Sequence, residues 1–424
     1  MAAPEDAARA AAAEAVRGAY GRLIALISAR AGDIAAAEDA LSDAVAAALD
    51  HWPRSGVPDA PEAWLITAAR RKLIDAARRR ATQQTAEPEL TRIMDEVAET
   101  LARANDDDAP YPDDRLKLMF ICAHPAIDAA IRTPLMLQTV LGLDAQKIAA
   151  AFLVAPQTMS QRLVRAKRKI KDARIPFEAP DTDERNDRLS AVVDAAYAGF
   201  TAGYDDASSD GPPLAEEAIY LASLIVRLAP DCAEAHGALA LMLYAHARRN
   251  ARFVDDRYIP LNEQDAARWD QRAIARAERA LTVASTLTAP GRFQIEAAIQ
   301  SAHMAATLRG VDTRADVVRL YDRLIAIAPT VGAIVGKAAA QIASDASGAA
   351  LETLNTVPAA SADRYQPYWA ARARALNDLG AIDEADAAYE RAISLATVPA
   401  TRRFLIAARA NAGAASTYSE SDGP

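Results

Sequence analysis

Five residues in one short stretch, Gln157, Thr158, Gln161, Arg162 and Arg165, carry side chains suited to reading nucleic-acid bases. Arginine pairs with two acceptors of guanine and glutamine with the acceptor–donor edge of adenine, each contact discriminating by about 1–3 kcal/mol. At helical spacing they fall on the first turns of one helix. Behind them run Lys167, Arg168, Lys169 and Lys171, cations placed to meet phosphate oxygens. The plain alternative for that run is a solvated helix end complementing the backbone dipole.

The segment LDAQKIAAAFLVAPQTMSQRLVRAKRKIK, from Leu143 to Lys171, predicts the scaffold for these side chains: two short amphipathic helices joined by a tight turn. That helix-turn-helix is a device for laying a helix in the DNA major groove. Ile148, Ala149, Phe152, Val154, Met159 and Leu163 form the apolar set that locks the pair. Pro156 suits the first helical position, where its missing N–H does no harm. Ala155 falls at the N-cap, where Ser would bind the free N–H groups better.

A second cationic element is the helix expected from Pro61 to Arg80. Leu65, Ile66, Ala69, Leu73, Ala76 and Ala77 gather on its core side, and Trp64, Thr67, Arg71, Asp75 and Arg78 on the other. A tryptophan beside arginines on a polar face can stack on an unpaired base, worth about 1–3 kcal/mol. It can equally fold back on Trp52 or the prolines of the preceding loop. That loop, His51–Pro61, carries three prolines and is expected to be non-helical. Before it lies an acidic helix, Ile34–Asp50, with Asp33 as N-cap and Glu38, Asp39, Asp43 and Asp50 along it. A protein-docking face and an ordinary solvated face both fit those carboxylates. No metal constellation or nucleophile–base pair is evident among them, which argues against catalysis.

The whole chain is acidic, with 48 Lys and Arg against 57 Asp and Glu in 424 residues, so DNA contact must come from local patches. Abundant alanine, scarce aromatics and no period-two pattern predict an all-α protein. Cys122 and Cys232 lie far apart and fit reduced thiols; no cofactor or metal site is expected. The opening MAAPEDAARAAAAEAV has neither the basic nor the apolar part of a secretory signal, and no apolar run spans a bilayer. The expectation is a cytoplasmic, non-enzymatic protein without membrane contact.

Composition divides the chain into helical domains at 14–81 and 114–175, an acidic linker at 82–113 and a short linker at 176–188. A helical extension at 189–412 and a disordered tail at 413–424 complete it. In the extension, Tyr368–Pro399 places Trp369, Gly380, Ala385, Tyr389 and Ala392 at the key positions of a 34-residue tetratricopeptide repeat. Two amphipathic helices stopped by Pro230 and Pro329 end alike, and 250–272 fits no repeat. The extension therefore reads as TPR-like, a concave surface for a protein partner.

GDIAAAEDALSDAVAAAL (32–49), WPRSGVPDAPEAWLITAARRKLIDAARRR (52–80) and KIAAAFLVAPQTMSQRLVRAKRKI (147–170) together resemble the extracytoplasmic-function (ECF) sigma factors of bacterial RNA polymerase. RLKLMFICAHPAI (115–127) and the extension resemble the subgroup with a C-terminal tetratricopeptide-like domain. The resemblance implies transcription initiation, with core polymerase (β′ and β subunits) and promoter DNA as partners. It implies that Glu38, Asp39, Leu41 and Asp43 dock on the polymerase. Trp64, Arg71, Lys72 and Arg78 would then engage the −10 element. The −35 element would be read by Gln157, Thr158, Gln161, Arg162 and Arg165, with Lys167, Arg168 and Lys169 beside them. It also implies that the extension regulates the factor or binds a partner. The competing reading is a dimeric helix-turn-helix regulator that needs no polymerase, for which the 32–80 segment would have no use.

Overall fold

The computed structural model describes residues 4–80, 113–204, 214–287 and 290–419. The fold is all-α; among the described residues the strands are one two-residue antiparallel pair, Phe253–Val254 with Arg257–Tyr258. The chain divides into two compact units, Met1–Pro230 and Asp231–Pro424.

The first unit begins with α1 (Pro4–Ala31), α2 (Ile34–Ser55) and α3 (Pro61–Arg80), each packed on the other two. Gly32, at φ 62°, breaks α1 from α2, and the Asp33 carboxylate accepts the Ala36 N–H at 3.2 Å to start α2. The buried stripe of α2 is Ile34, Ala37, Ala40, Leu41, Ala44, Ala48 and Trp52. Alanines at that spacing let neighbouring helix axes approach closely. The expected non-helical stretch from His51 needs correcting, because α2 runs on to Ser55 with Pro53 inside its last turn. A proline so near a C-terminus removes a single backbone hydrogen bond, and Trp52, buried on α3, holds the turn. The helix stops where Gly56 takes a positive φ and donates its N–H to the Trp52 carbonyl.

Four helices follow: α4 (Asp114–Cys122), α5 (Ala129–Thr139), α6 (Ala145–Ala151) and α7 (Pro156–Asp172). Aspartates at 113, 128 and 144 cap the first three, each accepting a first-turn N–H. Leu116, Phe120, Leu135, Met136 and Ile148 are fully buried, each worth about 1.5–3 kcal/mol of apolar burial. The expected short linker at 176–188 is partly helix, since α8 (Thr182–Tyr204) starts inside it. Helix α8 packs on α4 and α5, and α9 (Leu214–Leu228) packs on α8. Arg115 on α4 ties the group together through Asp113 and Glu217. The contact boundary at 230/231 thus lies beyond the division expected at 188/189. The acidic linker falls outside the described residues up to 112.

The second unit is built on α10 (Ala233–Ala247), buried nearly all round. Around and after it come α11 (Gln271–Thr286), α12 (Arg292–Arg309), α13 (Arg314–Ile327), α14 (Val331–Ile342) and α15 (Ser347–Asn355), then α16 (Gln366–Asp378), α17 (Ile382–Leu395) and α18 (Pro399–Ser419). The 250–272 segment holds the strand pair and two short 3-10 turns. Trp369, Ala385, Tyr389 and Ala392 meet where α16 packs on α17, and Gly380 makes the turn at φ 76°. Helix α18 continues to Ser419, past the expected stop at 412, as its alanine-rich sequence favours.

Helix α12 is seated on α10 through Glu234, whose carboxylate accepts the N–H groups of Phe293 and Gln294, both at 3.1 Å. Gly237, one turn on, faces that same backbone so closely that a methyl group would collide with it. Replacing Gly237 by Ala should cost roughly 1–3 kcal/mol, as overpacking against backbone does. A thermal melt of the Gly237→Ala chain checks this, and an unchanged midpoint would mean that the two helices are not held so close.

Candidate nucleic-acid interface and docking helix

The apolar part of the buried face of α7 consists of Met159, Leu163, Ala166 and Ile170, which sets the direction of the other side chains on it. Gln157, Gln161, Arg165 and Arg168 point opposite to that face and are exposed. Thr158, half-buried, and exposed Arg162 and Lys169 lie on one flank. There Arg162, Arg165 and Lys169 rim a cleft floored by Ile127, Ile131 and Ala166. Ala155 caps α7 without a side-chain hydrogen bond, and Pro156 occupies the first turn.

Two apolar residues at this surface escaped the reading of the sequence. Val164 is 65% exposed beside Gln157, Gln161 and Arg168. Leu153, in the turn between α6 and α7, is 86% exposed and sits at φ 54°. A left-handed leucine is strained, and glycine is the usual residue there. The signal for Val164 was present: it falls outside the Met159–Leu163–Ala166–Ile170 series.

On α2, Asp39 and Asp43 are exposed on one face with Asp50, and Glu38 is half-buried. Leu41 requires a correction. It is 3% exposed and packs into the α1–α3 core, since it shares the i, i+3, i+7 series of Ala37, Ala44 and Ala48. The exposed apolar residue of this helix is Leu49, at 40%.

On α3, Arg71 and Lys72 are exposed, whereas Trp64 is half-buried. Its ring meets Trp52 edge-on at 5.5 Å between centroids and stacks on His51 at 6.1 Å. Of the two positions open to it, Trp64 takes the folded-back one. The Arg78 side chain lies outside the described residues.

Lys167 also departs from expectation. Its side chain is 8% exposed, and its ammonium lies 2.6 Å from both oxygens of Glu38 on α2. Lys171, one turn on, reaches Asp33 at 2.7 Å. Lys167 borders the buried face of α7, one turn after Leu163, so it cannot point with Arg168 toward solvent. Burial alone would raise the Asp33 carboxyl, but Lys171 and the first N–H groups of α2 pull it below the usual carboxylate range. The Tyr20 hydroxyl is pushed up by burial and by Glu38, and the buried Cys122 thiol, against Thr139, is pushed up to about 12. Neither ionises near neutrality.

Among the described residues no cluster of His, Cys, Asp or Glu could hold a metal ion, and no helix is long and apolar enough to cross a membrane. Residues 15–83, the α1–α3 group, match Sigma-70 region 2. Residues 188–285 match a family of unknown function, DUF6596. A protein of Rhizobium meliloti (strain 1021), designated "Uncharacterized protein R00370", is 36% identical over 369 residues, covering 85% of this chain and 86% of that protein. The chain belongs to that protein's family. Its Sigma-70 region 2 supports a sigma-factor-like role at RNA polymerase. No solved structure matches the chain.

In the second unit of this family member, His303 on α12 departs clearly from its ordinary behaviour. Burial, aided by Arg248, lowers its pKa from 6.5 to about 4. Between those values the unfolded chain takes up a proton that the folded site refuses. Stability is therefore intact above pH 6.5 and lost progressively as pH falls toward about 4. Melting His303→Gln beside the unmodified chain from pH 7 to 4 checks this: the variant should show a shallower acid-side loss, and parallel curves would exclude His303 as a cause.

Proposed function

We propose that the chain is a sigma factor of the extracytoplasmic-function type. Its α1–α3 group docks on core RNA polymerase and engages the −10 element; α6 and α7 act as a helix-turn-helix on the −35 element. The observation that carries this reading is the Sigma-70 region 2 match over α1–α3, joined in the same compact unit to a helix with a solvent-facing row of Gln and Arg. Glu38, Asp39 and Asp43, with Leu49 in place of Leu41, form the docking face of α2. Arg71 and Lys72 hold the backbone at −10, and Trp64 moves off Trp52 when it stacks on a base. The helical second unit is a TPR-like regulatory or partner-binding module.

On α7, Gln157, Gln161 and Arg165 take the base edges, and Arg162, Arg168 and Lys169 the phosphates that flank them. Val164 adds methyl groups for the C5-methyl of thymine, so the −35 sequence should contain a thymine next to the base read by Gln161.

Incubating the full chain with bacterial core polymerase and a promoter library should yield run-off transcripts that depend on the chain. Binding to palindromic DNA with no transcripts would instead favour the dimeric regulator. Within that assay Gln161→Ala should relax preference at one −35 position by about 1–3 kcal/mol. Arg168→Ala should weaken all sequences alike and reduce the salt slope by about one. Equal effects of the two substitutions on sequence preference would overturn the assignment of α7 residues.

A further inference from the structure

The surface given to polymerase and the helix given to DNA are not independent in this chain. Lys167 of α7 spends its charge on Glu38 of α2, and Lys171 on Asp33 at the start of the same helix. Around these pairs the two helical groups touch again. The Val140 carbonyl, at the end of α5, faces Gly21 of α1 so closely that no side chain would fit, and the Tyr20 ring lies against Gly142.

We propose that this seam is a latch that keeps the free chain closed, with Glu38 and Asp33 at the α2 side and Lys167 and Lys171 of α7 satisfying one another until polymerase and promoter replace them. The proposal rests on the roles assigned above to α2 and α7. A nearly buried ammonium cannot leave its carboxylate without a substitute partner, because an unpaired charge in a dry site is strongly disfavoured. A DNA phosphate can be that substitute for Lys167, and a cation on the polymerase can be one for Glu38. Each partner alone strands the other group; both together strand neither.

The packing of α7 lets the latch open without unfolding. Its apolar face, Met159, Leu163 and Ile170, rests on α5 and α6 of its own group. Across the seam α2 meets α7 with these two ion pairs, while α1 packs on α4 and α5. When α2 and α7 part, the ion pairs are exchanged and the contacts of α1 with α4 and α5 separate with them.

Energy transfer between dyes at exposed Ser42 of α2 and Ser160 of α7 reads the separation in the free, full-length chain. Both serines are replaced by Cys for labelling, and Cys232 by Ser. The unmodified chain should give one high-transfer population. Lys167→Glu should enlarge the low-transfer population about tenfold, the scale of a contacting charged pair. Combining Glu38→Lys with Lys167→Glu should restore high transfer. Unchanged transfer in Lys167→Glu, or failure of the reversed pair to restore it, overturns the latch. Circular dichroism guards against misfolding. If Lys167→Glu loses helix, the more exposed Lys171→Glu is decisive: lowered transfer supports the latch and unchanged transfer overturns it. No polymerase enters this experiment, so a chain that opens as expected yet never binds core enzyme would sink the sigma-factor reading and leave the closed form standing.

Discussion

A lysine ammonium out of water must be neutralised where it lies, and in the first unit Glu38 meets that need for Lys167. Much of the unit is arranged about this one pair. It joins helix α2 to helix α7 across 129 residues of chain. Tyr20 lies beside it with its proton retained, and Cys122 and Thr139 seal the floor with a contact of 3.5 Å. Buried pairs of this kind add little net stability compared with apolar packing, but removing one partner is strongly destabilising because it leaves a buried charge uncompensated. An apolar seam would slide between near-equivalent registers, whereas a lysine set between two carboxylate oxygens at 2.6 Å does not.

That arrangement separates what could be read from the chain from what could not. The bounds of α3, the start of α7 at Pro156 and the Asp33 cap were legible because each depends on neighbours in sequence: a proline at N1, a short carboxylate before an apolar series. The identity of Lys167 as a seam residue was not. It stands in a run of four cations, and only its angular position at the edge of the Leu163–Ile170 stripe distinguishes it; the partner that makes this matter is far away in sequence. Leu41 and Leu49 show the same contrast with a better outcome available. Both are leucines on an acidic helix, but only Leu41 continues the alanine series that must face α1 and α3, so careful phasing of the stripe assigns one inward and one outward.

Pro53 and Leu153 are residues whose local preference yields to packing. The proline stays in the last turn of α2 because Trp52 beside it is buried against Trp64. The leucine accepts a left-handed backbone because the turn from α6 to α7 must close within a few residues, while Phe152 and Val154 on either side are drawn inward. Division of the chain was also hard to read, for a physical reason. Helix α8 looks like the first of a long helical series, but its buried residues Leu189, Val192, Val193 and Phe200 serve the core of the first unit. Composition does not tell a helix which neighbour it will cover.

The chain has nine more acidic than basic side chains, so bare DNA meets a repulsive field except where α7 and α3 expose arginine and lysine. Pairing Lys167 and Lys171 with carboxylates of the same unit subtracts further from that local field. At physiological ionic strength, screening over about 8 Å leaves the remaining exposed cations of α7 acting alone rather than as part of a wide basic surface. A sigma factor so built, as proposed above, binds promoter DNA weakly by itself. On the proposed reading its acidic face is covered by polymerase; covering it removes the repulsion, and with promoter DNA also present the lysines exchange their carboxylates for phosphates. Weak binding of the free chain then follows from the same carboxylates that recognise the enzyme.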